Sequence, residues 1–198
     1  RYSSSAASDV YKRQNLYLSL GFRPDVQALK LRNFTLWQGI NICKFLRDFT
    51  GSDKIKVKWP NDIYYEDKKI AGMLTEASID CERIKTLIFG IGLNINAPAK
   101  NYPKKLKRSL MTIQSLMGNQ IRLHELSAMI IKIAMKSYIQ TKNGESENLL
   151  IDQWQGLDAF YGKKVKVTTS NETVLGRAEG INIEGHFKVK LRNGRFKY

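Results

Sequence analysis

Three clusters between residues 58 and 96 carry the side chains best suited to chemistry. They are Lys58-Trp59-Pro60-Asn61-Asp62, Lys69-Ile70-Ala71-Gly72 and Gly90-Ile91-Gly92-Leu93-Asn94-Ile95-Asn96. Each stands at the end of an apolar run, the pattern left by a binding site assembled across neighbouring strands of one sheet. Val57 and Trp59 suit a strand, Pro60 stops it, and Asn61-Asp62 supply turn chemistry and oxygen ligands. Lys69 precedes the small pair Ala71-Gly72, where main chain and ligand can approach closely. Its ammonium suits a carboxylate or a phosphate as a point charge. Asp62 is a hard oxygen donor of the kind Mg²⁺ takes when it bridges to phosphates. Gly90 and Gly92 let a flat ring or a ureide-like group lie against the backbone and pair with its N–H and C=O groups. Asn94 and Asn96 add amides at the same rim. Together these groups suggest a nucleotide plus a small organic acid.

The elements that must position them follow from periodicity. Asn15–Leu20 alternates like a strand, and residues 26–49 carry apolar groups at helical spacing, so a helix covers the sheet. Strands are expected at 54–59, 63–66, 69–79 and 84–95, with Asp80–Arg83 as a hairpin connection. After a loop at Pro98–Pro103, helices are expected at 109–117, 123–141 and 146–154. From Leu157 the chain changes to short strands at Lys164–Thr168, Val174–Ile183, His186–Leu191 and Arg195–Tyr198, with Arg192-Asn193-Gly194 as a tight turn. This order predicts an α+β fold, a mixed β-sheet with helices mainly on one face, followed by a small all-β module.

The chain has 198 residues, 42% of them hydrophobic and 10% aromatic, enough for a real core. Its formal net charge of +15 raises affinity for nucleic acid or an acidic protein. The lysines, however, are spread over loops, strands and helix faces rather than gathered in one stripe, which favours a solvated basic surface. Two cysteines without metal spacing and no apolar run of membrane-spanning length fit a reduced, cytoplasmic protein. Cys43 and Cys81 read as inert, Trp59 as a packing residue, and His124 as a surface residue.

The run from Lys58 to Asn96 resembles the core of the biotin–protein ligases. That family reads K-W-P-N-D, then K-[IL]-A-G-[IM]-L-x-E, then G-[IAV]-G-[IL]-N. This chain shows Lys58–Asp62, Lys69-Ile70-Ala71-Gly72-Met73-Leu74-Thr75-Glu76 and Gly90–Asn94 in that order and at similar separations. The resemblance implies a class II aminoacyl-tRNA synthetase-like catalytic domain over 15–156 and an SH3-like β-barrel over 157–198. It implies two half-reactions with ATP and Mg²⁺: biotin's carboxylate attacks the α-phosphate to give biotinyl-adenylate, and a lysine of a biotin carboxyl carrier domain then takes the acyl group. Lys69 matches the lysine that contacts the biotin carboxyl and the adenylate phosphate. Gly72, Leu74, Gly90 and Gly92 match positions lining the biotin pocket. Lys58, Asn61, Asp62 and Asn94 match the nucleotide side, with Asp62 the candidate metal contact. A homodimer is compatible with this reading.

The departures from the family are expectations too. The glycine–arginine loop that orders over biotin and the Thr-Asn signature upstream of it have no counterpart. Residues 1–14 read as a foreign leader, and the chain stops inside a strand at Phe196-Lys197-Tyr198. It therefore reads as an internal fragment that binds biotin weakly and turns over little. Some family members carry an N-terminal helix-turn-helix, and nucleic acid enters as a partner only through such a domain. Two other readings stand beside this one: a nucleic-acid-binding module built on the basic β part, and a lipoate-type ligase of related fold.

Overall fold

Strand β1 (Leu16–Phe22) follows the alternation after Asn15, turning Leu16, Leu18, Leu20 and Phe22 to the core and Tyr17 and Ser19 outward. The computed structural model to which it belongs describes residues 15–97, 109–169 and 172–198. The stretches 1–14 and Pro98–Pro103 lie outside the described residues.

The helix expected from residue 26 starts later. Val26–Gln27 forms a short strand, β2, opposite Ile84 and Arg83, and Ala28–Leu31 makes one 3-10 turn before α1 (Phe34–Thr50) begins. Here pairing with a distant strand overrides a helical period. Helix α1 ends at Gly51, whose φ of 67° accepts the left-handed cap and whose N–H reaches Arg47 O.

Next come β3 (Ile55–Lys58), β4 (Asp62–Tyr65), β5 (Lys68–Asp80) and β6 (Arg83–Leu93). Between β5 and β6, Cys81 and Glu82 sit at φ 45° and 63°, the left-handed pair whose twist suits a two-residue hairpin. The sheet runs β1-β6-β5-β4-β3, with β2 also on β6. Among the described residues every strand ladder of this sheet is antiparallel, the parallel pairing being confined to isolated bridges at Val57–Asp158 and Lys69–Leu110, which corrects the mixed sheet expected from sequence. The connections from β3 to β6 are too short for the crossover a parallel neighbour needs.

Helices α2 (Ile113–Met117), α3 (Leu123–Lys142) and α4 (Leu150–Leu157) follow. Thr112 caps α2 by accepting the Ser115 N–H at 3.2 Å. The helices cover one face of the sheet around Phe34, Ile40, Leu46, Ile63, Phe89, Ile130 and Trp154, all fully buried. Helix α1 is buried on most of its circumference because it lies between the sheet and the other helices.

The second sheet comprises β7 (Lys164–Thr168), β8 (Thr173–Ile181), β9 (Phe187–Lys190) and β10 (Phe196–Lys197), in the order β10-β9-β8-β7. Among the described residues β10 pairs with β9 alone, so the sheet is open rather than the closed barrel expected. The turn at Arg192–Gly194 forms as anticipated, with Gly194 at φ 81°. Trp59 ties the two sheets together. It packs against both apolar clusters, stacks on Phe187 and donates its indole N–H to Gly185 O at 3.0 Å.

Candidate functional site

Antiparallel register brings residues from five strands into one transverse row. Tyr17 pairs with Gly92, Gly92 with Gly72, Gly72 with Asp62, and Asp62 with Lys58. Directly paired residues share a sheet face, so these five residues lie side by side on the face away from the helices. A second row sets Ser19, Gly90 and Leu74 next to it. Leu74 is 59% exposed there, an apolar wall at the edge of the row.

Lys69 sits at the start of β5, and its main chain is gripped from two sides. Its N–H donates to Ser109 O, and its C=O accepts from Met111 N–H and Asn94 Nδ2. The side chain then folds across Gly72: a Cβ on that glycine would lie 2.8 Å from Lys69 Nζ and 3.2 Å from Asp62 Oδ1. Lys69 Nζ contacts Asp62 Oδ1 at 2.6 Å, with the two side chains 37% and 18% exposed. The ammonium therefore points to the face of Gly92, held by a carboxylate and still open to solvent.

The glycines are informative because the fold does not require them. None of Gly72, Gly90 and Gly92 has a positive φ. A Cβ on Gly90 would meet nothing closer than Leu74 O at 3.7 Å, and one on Gly92 would touch only the Tyr17 ring at 3.5 Å. Glycine inside a strand costs about 0.5–1 kcal/mol relative to alanine. Gly90 and Gly92 leave a floor of bare main chain in front of a cation, while the space over Gly72 holds the Lys69–Asp62 pair. Gly90 and Gly92 lie in mid-sheet with hydrogen-bonded strands on both sides, so their N–H and C=O groups are taken by the ladders. They offer flat surface rather than the hydrogen bonds expected from sequence.

The amides are largely structural. Asn61 Nδ2 donates to Met73 O at 2.6 Å while its own C=O accepts Met73 N–H, so it extends the β4–β5 pairing around the cis Trp59-Pro60 bend. Asn94 ties the end of β6 to Lys69, and Asn96 clamps Ile121 through two bonds of 2.7 and 2.9 Å. Lys58 donates to the Tyr64 hydroxyl at 2.9 Å and lies 4.3 Å from the centre of that ring. A cleft of about 290 Å³ opens beside the second row, lined by Trp59, Pro60, Asn61, Leu74, Thr75 and Gly185 among others.

Sequence reasoning missed Tyr17, Ser19 and Tyr64. The alternation of β1 showed that Tyr17 and Ser19 face outward, but nothing local placed β1 beside β6. For Mg²⁺, the described residues hold no group of three or more acidic, histidine or cysteine side chains. Asp62 could lend an oxygen to such an ion.

With this geometry in view, residues 10–96 match the Biotin/lipoate A/B protein ligase family. The chain is 28% identical over 181 residues to the bifunctional ligase/repressor BirA of Bacillus subtilis, an alignment covering 90% of this chain and 54% of that protein. It thus spans about half the length of the curated relatives it matches. Its fold is similar to that of a point mutant of the Aquifex aeolicus biotin protein ligase in complex with biotin, with a TM-score of 0.77 at 24% identity over 93% of this chain and 74% of that one. The structure of that ligase with biotin and ATP gives 0.74 at the same identity and coverage. At such identity the likeness is one of fold.

Proposed function

We propose, from the premise that residues 10–96 carry a biotin/lipoate A/B protein ligase family domain, that the protein is an ATP-dependent biotin–protein ligase. The observation that supports this most is the Lys69 ammonium held over a glycine floor, beside an exposed leucine, on the helix-free face of the sheet. A flat bicyclic acid fits there: its rings on Gly90 and Gly92 against Leu74, its carboxylate toward Lys69. In the first step the carboxylate oxygen forms a bond to the α-phosphorus of ATP and pyrophosphate leaves. In the second, a lysine amine of a carrier domain attacks the acyl carbon, AMP leaves, and the amine loses a proton. Both steps place negative charge on oxygens near the acyl-phosphate, where a preorganised ammonium stabilises it without reorganisation. Asp62 is the positioning residue that keeps Lys69 on this face. Mg²⁺, when brought by the triphosphate, would supply charge neutralisation, with Asp62 the nearest carboxylate. Lys58 and Asn61, at the far end of the row, and the remaining oxygen of the Asn94 amide are assigned to the nucleotide side. The two-sheet arrangement leaves the acceptor protein to approach over the open face.

Calorimetry with a non-hydrolysable biotinyl-adenylate analogue tests this. The native chain should bind it, and Lys69→Ala should bind about 10²-fold more weakly. Equal binding by both removes Lys69 from the site and the reading with it. A lipoyl-adenylate analogue that binds more tightly than the biotinyl one would move the substrate to the other branch of the family.

A further inference from the structure

The outer face of the second sheet carries a row of like charges that the ligase reading does not use. Lys164 on β7 pairs with Arg177 on β8, Arg177 with Lys190 on β9, and Lys190 with Phe196 on β10. Neighbouring strands lie about 4.8 Å apart, so the three basic residues stand side by side, with the Arg177 guanidinium also donating to Gly162 O. Lys166, paired with the exposed Leu175, stands in the next row on the same face. Arg192 lines the same groove, and Lys188 lies 4.2 Å from the centre of the Phe196 ring. Among the described residues, none of these six cations has a carboxylate within 4.0 Å. The groove over the row holds about 480 Å³ and contains one acidic side chain, Glu179. Like charges directly opposite one another destabilise a sheet. An anionic partner relieves that repulsion.

We propose that this face binds single-stranded nucleic acid. The flat rings decide between polyanions. Phe196 closes the cation row at 41% exposure and Tyr198 follows it at 63%. Unpaired bases stack on such rings while lysines and arginines track the phosphates. A duplex keeps its bases stacked internally, and an acidic peptide gains nothing from the rings. The site is separate from the glycine-floored face and stands independently of the ligase reading.

The test is fluorescence anisotropy of the full chain with labelled oligothymidylate across a salt series. Three or four phosphate contacts give a slope of log affinity on log salt of about −2 to −3. The double variant Lys164→Gln/Lys190→Gln should make that slope shallower by about 1.4 and weaken binding at low salt about tenfold or more. Phe196→Leu keeps apolar area but loses stacking, so affinity should fall several-fold while the slope stays unchanged. All substituted positions are exposed, and a thermal melt by circular dichroism identifies any variant that is unfolded. The proposal is overturned if the lysine variant binds as the native chain does, if a duplex of equal length binds as tightly, or if polyglutamate competes as well as unlabelled oligonucleotide. The last outcome would identify an acidic protein as the occupant.

Discussion

The Lys69 ammonium rests 2.6 Å from the Asp62 carboxylate, and both lie where a side chain on Gly72 would project. The pair occupies the space that a side chain at Gly72 would need. Because Lys69 stays partly open to solvent, an incoming carboxylate or phosphate can share it without displacing buried structure.

This coupling is measurable. Lys69→Ala should weaken binding of a biotinyl-adenylate analogue about 10²-fold, and Asp62→Asn should do so less. If Asp62 acts through Lys69, the effects of the two changes overlap by about 0.5–3 kcal/mol in a double-mutant cycle. Strictly additive losses would show that Asp62 contacts the ligand separately.

The glycine floor makes the opposite trade visible. Gly90→Ala places a methyl in ordinary contact with its surroundings. Urea unfolding should therefore show unchanged or slightly raised stability, by about 0.5–1 kcal/mol, while analogue affinity falls tenfold or more. Loss of both would mean the glycine serves packing. Gly176→Ala is the contrast: its Cβ would sit 2.5 Å from Lys190 O, a backbone atom, and should destabilise the second sheet.

Trp59 joins the two sheets, so its change should loosen one against the other. Trp59→Phe preserves the stack on Phe187 but leaves Gly185 O without its donor, a cost of about 1–3 kcal/mol. Limited proteolysis should then cut within 160–198 sooner than within 16–97. Unchanged cleavage kinetics would assign the junction to other contacts.

Asp158 gives a pH signature. The residue is 3% exposed, and one carboxylate oxygen accepts Phe160 N–H at 2.8 Å. Burial raises its pKa above the ordinary 3.8. The folded state thus binds the proton more tightly than the unfolded one, so stability falls as pH rises from 3.8 through the raised value. Asp158→Asn should remove that component, so that the native chain minus the variant grows less stable over this window. Asp25 acts in the reverse sense: hydrogen bonds from Arg83 and then Lys85 lower it to about 2, so its contribution is lost only as pH falls toward that value. A flat difference between native chain and Asp158→Asn would place the protonation elsewhere.

The cysteines should separate cleanly. Cys43 is fully buried and burial pushes its thiol to about 12, whereas Cys81 is exposed in the β5–β6 hairpin. A thiol reagent near neutral pH should label one cysteine in the native chain and both after denaturation. Two labels under native conditions would show that α1 opens.

Much of the site was legible in the residues themselves. Lys58–Asp62, Lys69–Gly72 and Gly90–Asn94 stand out because glycine, proline and ion-forming side chains interrupt apolar runs, and local chemistry suffices to see that. The strands of the second sheet were equally visible, within a residue or two, from alternation and glycine turns. What failed was long-range. Val26–Gln27 follows a helical period, yet edge pairing with β6 makes it a strand. The mixed sheet was inferred from element order and the closed barrel from resemblance, and neither says which neighbours hydrogen-bond in this chain.

Residue types and motif spacing alone singled out a cation, a carboxylate and paired glycines as candidates for one site. Only the tertiary structure decided that Tyr17, Gly92, Gly72, Asp62 and Lys58 form one row, and that Gly90 and Gly92 present surface rather than donors. The physical reason is register. A strand's side-chain alternation is written in its own residues, but the residue it faces is chosen by ladder pairing with a partner many positions away.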